Sequence, residues 1–303
     1  MAESNERQRK ETPVADHPTR TEFQRDGLSL VGDLWRAARP RGTVVLLHGG
    51  GQTRHSWHRT GQRLGAAGWT VLSMDARGHG ESGWAPDRDY SMEALVADLR
   101  AVLASLDHRP VLVGASMGGS TALVAQGTDP ELALGLVLVD IVPRIEPAGV
   151  ARIAAFMSAR PDGFASLDEV AETIRAYNPH RRRPPTEQGL RKNVRQGTDG
   201  RWYWHWDPAF LLRGDEPARS ERRERMAAAA QAIRVPTLLV RGKQSDVVSD
   251  EGVAELRSLI PHAQLADVRE AGHMVAGDDN DVFTEKLVDF LLSVAPGGAG
   301  DAG

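Results

Sequence analysis

The stretch Val111-Leu112-Val113-Gly114-Ala115-Ser116-Met117-Gly118-Gly119 sets a serine between glycines at the end of an apolar run. A strand that stops in a tight Gly-x-Ser-x-Gly turn and gives way at once to a helix lifts the serine Oγ clear of a sheet edge. The flanking positions then crowd neighbouring backbone, which favours glycine there. Because the helix begins immediately, the Met117 N–H and the positive end of the helix dipole would face a negative oxygen developing beside Ser116. The chemistry this suits is attack of a hydroxyl on carbonyl carbon. A serine hydroxyl is a poor nucleophile at neutral pH, so it needs an adjacent base, and the base needs an orienting acid.

The chain offers candidates for each remaining part. The run Val44 to Leu47 ends in His48-Gly49-Gly50-Gly51, where bare backbone can approach a substrate, and the Gly50 amide is the expected second oxyanion donor beside Met117. A phosphate cradle would need a following Lys-Ser/Thr or a dinucleotide spacing, and neither is present. His48 is expected to brace this loop rather than act as a base. After the run ending at Val240 comes Arg241-Gly242-Lys243-Gln244-Ser245-Asp246, and after the next run comes Glu270-Ala271-Gly272-His273-Met274. Ser116, Asp246 and His273 thus follow in an order that assigns nucleophile, orienting acid and general base. Asp140, also at the end of an apolar run, is the rival acid; Asp246 is preferred because its loop immediately precedes the strand leading to the histidine. Asp75 is expected to tie down its own loop with Arg77. His55 and His58 lack a further ligand cluster, so no metal is expected, nor any cofactor.

For these groups to meet, their loops must lie along one rim of a sheet. Short β-branched and aliphatic runs recur at Thr43 to Leu47, Thr70 to Met74, Pro110 to Val113, Leu136 to Val139, Pro236 to Val240 and Gln264 to Val268, with helical periodicity between them. That alternation predicts a mostly parallel sheet flanked by helices. An antiparallel hairpin from about Phe23 to Trp35, turning at Asp26-Gly27, is expected to precede it. Ser91 can cap a helix presenting Leu95, Leu99 and Val102 on one face. The alternation breaks between Val142 and Ala230, where no strand-like run occurs and Ser166-Leu167-Asp168-Glu169 reads as a capping box. The expected organisation is a loose arm over 1–20, a first core part over 21–141, a helical cap over 142–231, a second core part over 232–292 and a loose tail over 293–303. In the cap, Trp202-Tyr203-Trp204-His205-Trp206 could wall an apolar pocket or fasten the cap to the core. Trp202, Trp204 and His205, with Trp84 beside a motif, are the candidate pocket residues.

The composition narrows the function classes. With no cysteine, thiolate nucleophiles, thiolate metal sites and disulfides are excluded. A net charge of -4 gives no reason to expect nucleic acid or an anionic membrane as a partner, and the arginines at 181–183 and 219–225 read as solvated faces. A polar, charged beginning and the lack of a long apolar run predict a cytoplasmic protein acting on a small molecule, as a monomer or homodimer.

Taken together, His48-Gly49-Gly50 with Ser56-Trp57, Asp75-Ala76-Arg77-Gly78-His79-Gly80 with Ser82, Gly114-Ala115-Ser116-Met117-Gly118-Gly119, Ser245-Asp246 and Gly272-His273 resemble the α/β-hydrolase superfamily. Within it, the chain resembles the capped bacterial esterase, epoxide-hydrolase and dehalogenase-like branch, from about residue 25 to 292 but not over the cap. The resemblance implies the α/β-hydrolase fold with an inserted helical cap. Epoxide hydrolases and haloalkane dehalogenases of similar architecture carry aspartate at the turn; Ser116 instead implies an acyl-enzyme and deacylation by water through His273. A carboxylic ester or lactone with an apolar acyl or alcohol part is the expected substrate. Carbon-carbon bond hydrolysis, perhydrolase or haloperoxidase-like activity, acyl transfer to another acceptor, and a slow-turnover ligand receptor are the alternatives the resemblance leaves open.

Overall fold

The computed structural model describes residues 17–178, 186–212, 216–269, 271–273 and 281–294. The chain enters through an antiparallel hairpin, β1 (Thr19–Arg25) and β2 (Leu28–Trp35). Asp26 and Gly27 both take positive φ, 51° and 79°, as a two-residue hairpin turn requires. There follow β3 (Thr43–Leu47), a 3-10 turn at Arg54–Trp57, α1 (His58–Ala66), β4 (Thr70–Met74), α2 (Met92–Leu103), β5 (Val111–Ala115), α3 (Met117–Thr128) and β6 (Gly135–Val139). Ser91 caps α2 by accepting from the Ala94 amide at 3.2 Å.

The segment read from the sequence as a cap comes next, with α4 (Pro147–Met157), α5 (Leu167–Tyr177), α6 (Glu187–Arg191), β7 (Val194–Gln196), β8 (Trp202–Trp204) and a 3-10 turn at Pro208–Leu212. The chain then returns through α7 (Glu216–Ala232), β9 (Thr237–Gly242), α8 (Asp250–Leu259), β10 (Gln264–Val268) and α9 (Asp281–Val294).

Eight strands form one sheet in the order β1-β2-β4-β3-β5-β6-β9-β10, with β2 antiparallel to β1 and β4 and every later pairing parallel. Both faces of the central part of this sheet are covered, which is why β5 and β6 read as continuous apolar runs. Leu112, Leu136 and Leu239 pack on one side with Leu99 of α2, Leu123 of α3, Met226 of α7 and Leu256 of α8. Val111, Val113 and Val240 point the other way, toward Leu64 of α1 and Phe283, Leu287 and Leu291 of α9. The strand order reverses between β3 and β5, so the loops leaving their carboxyl ends diverge and open a crevice, the usual ligand position in an open α/β sheet. The glycine loop after β3 and the serine turn after β5 are those two loops.

The structure revises two details of the sequence reading. The segment expected to hold only helices contains a short antiparallel hairpin, β7 with β8, extended by a bridge between Phe164 and Trp202. Three-residue strands are too short to show a period of two, and an aromatic run gives little polar alternation. In addition, Met226, Ala229 and Ala230 of α7 belong to the core cluster beneath the sheet. The cap expected over 142–231 therefore ends in a helix shared with the core. The expected arm lies outside the described residues up to 16, and Thr19 already pairs with Leu34. Of the expected tail, 295–303 lies outside the described residues.

Candidate active site

Ser116 leaves β5 with φ 46° and ψ −111°, a conformation rarely tolerated outside glycine and typical of strain held at a functional turn. The surroundings force it. A Cβ on Gly114 would stand 2.5 Å from the Gly118 backbone, and one on Gly118 would stand 2.5 Å from the Leu47 carbonyl oxygen, so β5, α3 and the end of β3 close together only with glycine at both positions. The Ser116 amide donates to the Val139 carbonyl at 3.1 Å and the Gly118 amide to the His48 carbonyl at 3.1 Å, tying the turn to both neighbouring strands.

Next to it stands the glycine loop. The Gly49 amide donates to Gln52 Oε1 (2.9 Å) and the Gly51 amide to His79 Nε2 (3.2 Å). Among the described residues the intervening Gly50 amide and the Met117 amide at the head of α3 have no hydrogen-bond partner. These are the two donors the sequence singles out.

Three buried histidines hold the loop in place. His48 Nδ1 donates to the Gly49 carbonyl (2.8 Å) while its Nε2 accepts from the Ala76 amide (3.0 Å). His79 Nδ1 donates to the Arg77 carbonyl (3.1 Å) and accepts from Gly51 through Nε2. His205, from the cap, accepts from the Gly80 amide through Nδ1 (2.8 Å) and donates from Nε2 to the Gly51 carbonyl (3.4 Å). Each ring has one donating and one accepting nitrogen, so each arrangement requires the neutral imidazole. Burial pushes His205 down to about 3, helped by the nearby His48, and burial also lowers His48 against the pull of Asp75. His48 thus braces the loop as expected from the sequence.

His273 follows β10 with Nδ1 donating to Asp140 Oδ2 at 2.7 Å. This corrects the sequence preference for Asp246 as its partner. Asp140 ends β6 with φ 49°, a left-handed turn that aims its carboxylate toward the loop after β9. There it also accepts from the Gly242 amide (3.1 Å) and the Ser245 hydroxyl (2.5 Å). Ser245 takes the inward position, and Asp246 beside it turns outward to a two-bond pair with Arg152 Nε and Nη2 of α4 (2.6 and 2.8 Å). Burial works against the charged Asp246, yet the bound guanidinium holds its carboxyl below the ordinary carboxylate range. The loop carrying His273 is fastened to the loop after β9, with the Gln244 amide donating to the Ala271 carbonyl at 3.0 Å.

Asp75 does tie down its own loop, accepting from the Glu81 amide (2.9 Å), but its cationic partner is Arg54 rather than Arg77. Buried Arg54 joins Asp33, Asp75 and Glu81, while Arg77 pairs with Asp98. His55 Nδ1 lies 3.5 Å from Asp33. Among the described residues no group of three or more His, Asp or Glu could hold a metal ion.

Of the expected pocket residues, His205 reaches the glycine loop and the tryptophans make contacts of their own. Trp204 stacks on Trp206 and packs edge-on against Phe164, within the cap's own apolar cluster, and Arg191 lies 4.9 Å over the Trp202 ring. Trp84 is exposed beneath the Arg195 guanidinium, and His205 latches the cap to the core as just described. Besides His205, Met157 and Phe210 approach the glycine loop, both within 4 Å of where a Gly50 side chain would begin. Sequence reasoning missed both, since neither Ala-Phe-Met nor Pro-Ala-Phe-Leu carries a local signal for that placement.

The geometry can be set against known proteins. Residues 42–279 match the family model described as alpha/beta hydrolase fold. The chain belongs to that family. This α/β-hydrolase is 32% identical over 251 residues to "Esterase Rv0045c" of Mycobacterium tuberculosis, covering 80% of each chain. It is 31% identical over 270 residues to "sn-1-specific diacylglycerol lipase ABHD11" of Mus musculus, covering 82% of this chain and 80% of the relative. A solved structure of the M. tuberculosis esterase superposes with a TM-score of 0.73 at 29% identity, over 93% of both chains. The relatives are hydrolases of ester bonds by name, in keeping with an α/β-hydrolase that is an enzyme.

Proposed function

We propose that the protein is a serine hydrolase that cleaves a carboxylic ester or lactone through an acyl-enzyme on Ser116, with His273 as general base and Asp140 as the orienting acid. The observation that carries this is the bond from His273 Nδ1 to Asp140, because it places the ring proton on Nδ1 and leaves the Nε2 lone pair free to take the Ser116 proton. Attack forms the Oγ–carbon bond; the carbonyl oxygen becomes an oxyanion facing the Gly50 and Met117 amides, and the imidazolium returns its proton to the departing alkoxide. Water then repeats the sequence on the acyl-enzyme and frees the acid. The Ser116 hydroxyl makes no hydrogen bond among the described residues, and catalytic contacts of this kind often tighten only when substrate is bound.

The esterase and lipase names of the relatives support the ester as the bond cleaved. Met157 and Phe210 beside Gly50 support an apolar part of a small substrate under the cap. The test is incubation with a fluorophosphonate at neutral pH followed by peptide mass spectrometry, run beside p-nitrophenyl esters of graded chain length and a lactone panel. Labelling of Ser116 together with turnover of at least one ester or lactone is expected, and both are lost in Ser116→Ala. An unlabelled Ser116 in folded protein would overturn the mechanism.

A further inference from the structure

Helix α4 is held at both ends by loops on the same rim of the sheet. At its start the Glu146 amide donates to the Val247 carbonyl (2.9 Å), Glu146 Oε1 accepts from the Ser249 hydroxyl (2.6 Å), and Arg152 holds Asp246. A Cβ on Gly149 would run into the Asp246 carbonyl oxygen, so this turn of the helix lies directly on the loop after β9. At its end Met157, 4% exposed, covers the loop after β3. Its side chain is 3.3 Å from where a Gly51 side chain would begin and 3.8 Å from that point on Gly50. The same loop meets Ser116, whose Cβ is 3.3 Å from the corresponding point on Gly49.

Strands β3, β5, β6 and β9 are neighbours in that order, so the two anchors stand three strand spacings, about 14 Å, apart. The run of helix from Gly149 to Met157 rises about 12 Å. The lengths match: α4 crosses the rim from the loop after β9 to the loop after β3, over the turns that carry Asp140 and Ser116. Gly149, Ile153 and Met157, spaced by four, form one stripe on the helix. Because the two ends of the stripe rest on the outer loops, its middle residue, Ile153, is directed at the inner ones. Ile153 packs against both the core cluster and the apolar cluster around Trp204, yet it is only partly buried.

We propose that Ile153 is a specificity-determining residue that forms the ceiling of the acyl site, with Met157 as its end wall, and restricts the enzyme to esters of short acyl chains. The inference rests on the serine-hydrolase reading and adds to it which half of the ester is measured. In the tetrahedral intermediate the Ser116 oxygen comes from the turn, the oxyanion faces the Gly50 and Met117 amides, and the leaving oxygen faces His273. The fourth substituent, the acyl chain, is left to run beneath α4. A β-branched side chain on a helix has one favoured χ1 and does not swing aside, and the anchors at both ends keep the helix from lifting. Each further methylene therefore meets Ile153 rather than open space.

The experiment measures kcat/KM for p-nitrophenyl acetate, butyrate and octanoate, which vary the acyl chain over one leaving group, and for ethyl, butyl and octyl acetate, which vary the alcohol. Wild type is expected to favour butyrate over octanoate. In Ile153→Ala the octanoate-to-butyrate ratio should rise at least about tenfold, while the octyl-to-butyl acetate ratio moves far less. Met157→Ala should shift the acyl ratio in the same direction but less, since a flexible thioether already yields. Ala155→Leu, on the exposed opposite side of α4, should leave both ratios as in wild type. An acyl ratio unmoved in Ile153→Ala, raised equally by Ala155→Leu, or a change confined to the alcohol series overturns the inference; labelling of Ser116 by fluorophosphonate in the same samples keeps the acyl-enzyme mechanism standing. Wild type that is labelled but turns over neither series, or that favours octanoate, overturns the inference in the same way. Absence of both labelling and turnover in folded wild type overturns the mechanism and the inference together. Should Ile153→Ala not fold, Ile153→Val, one methylene smaller, carries the same test with a rise of about threefold.

Discussion

Acid should unfasten the cap, and His205 lets the size of that effect be worked out. The ring is 2% exposed, accepts an amide proton at Nδ1 and donates at Nε2, so protonation would set two N–H groups against each other at Gly80. Its pKa falls from the ordinary 6.5 to about 3 on folding. The unfolded chain therefore binds the proton at a higher pH than the folded one. This contribution to stability is complete above about pH 6.5 and is lost as pH falls toward 3. Linkage puts the loss between pH 7 and pH 5 at about 2 kcal/mol, rising to roughly 5 kcal/mol below pH 3. Urea or thermal unfolding of wild type and His205→Gln at pH 7, 6 and 5 measures it. The variant should start less stable at pH 7, having lost the latch, but its stability should decline less steeply, the two curves converging by about 2 kcal/mol at pH 5. His48, which burial shifts in the same direction, is present in both proteins and cancels in the comparison. Parallel curves would refute the buried neutral latch.

Other outcomes follow from the same structure. Asp140→Asn should lower kcat by about three to four orders of magnitude, because it disturbs the imidazole tautomer. Asp246→Asn, which frees Arg152 on α4, should leave kcat within a few-fold, and steady-state kinetics giving the reverse ranking would return the acid role to residue 246. Gly118→Ala would bring a methyl to 2.5 Å from the Leu47 carbonyl oxygen and should cost at least about 1–3 kcal/mol, read as a lowered Tm together with lost Ser116 labelling. Arg54→Met would leave the buried carboxylates of Asp33 and Asp75 without their cation and should cost about 3–5 kcal/mol. An unchanged melting temperature would show that the network contributes nothing.

The sequence carried the fold because its informative features are local or periodic. Apolar runs such as Val111 to Val113 are buried on both faces, and each glycine around Ser116 is required by a backbone contact that no other residue permits. The carboxylate that pairs with His273 was not legible in the same way. Asp140 and Asp246 both follow strands, and the choice between them depends on which side chain turns inward. That is settled by Ser245 bonding Asp140 and by Arg152, 94 positions before Asp246, drawing the latter outward. The positive φ of Asp140 also leaves no mark in residue type. The tryptophans of the cap were ambiguous for a related reason. Their neighbours Phe164 and Phe156 come from distant positions, and only the three-dimensional arrangement shows the apolar cluster they form together.

Since α7 begins at the cap and finishes packed beneath the sheet, the two halves of the molecule share one rod, roughly 25 Å long. A chimera that transplanted another relative's cap at residue 231 would carry off Met226, Ala229 and Ala230 and open a hole beside α3. The workable seam lies ahead of Glu216, where foreign caps can be exchanged while the foundation beneath them stays native.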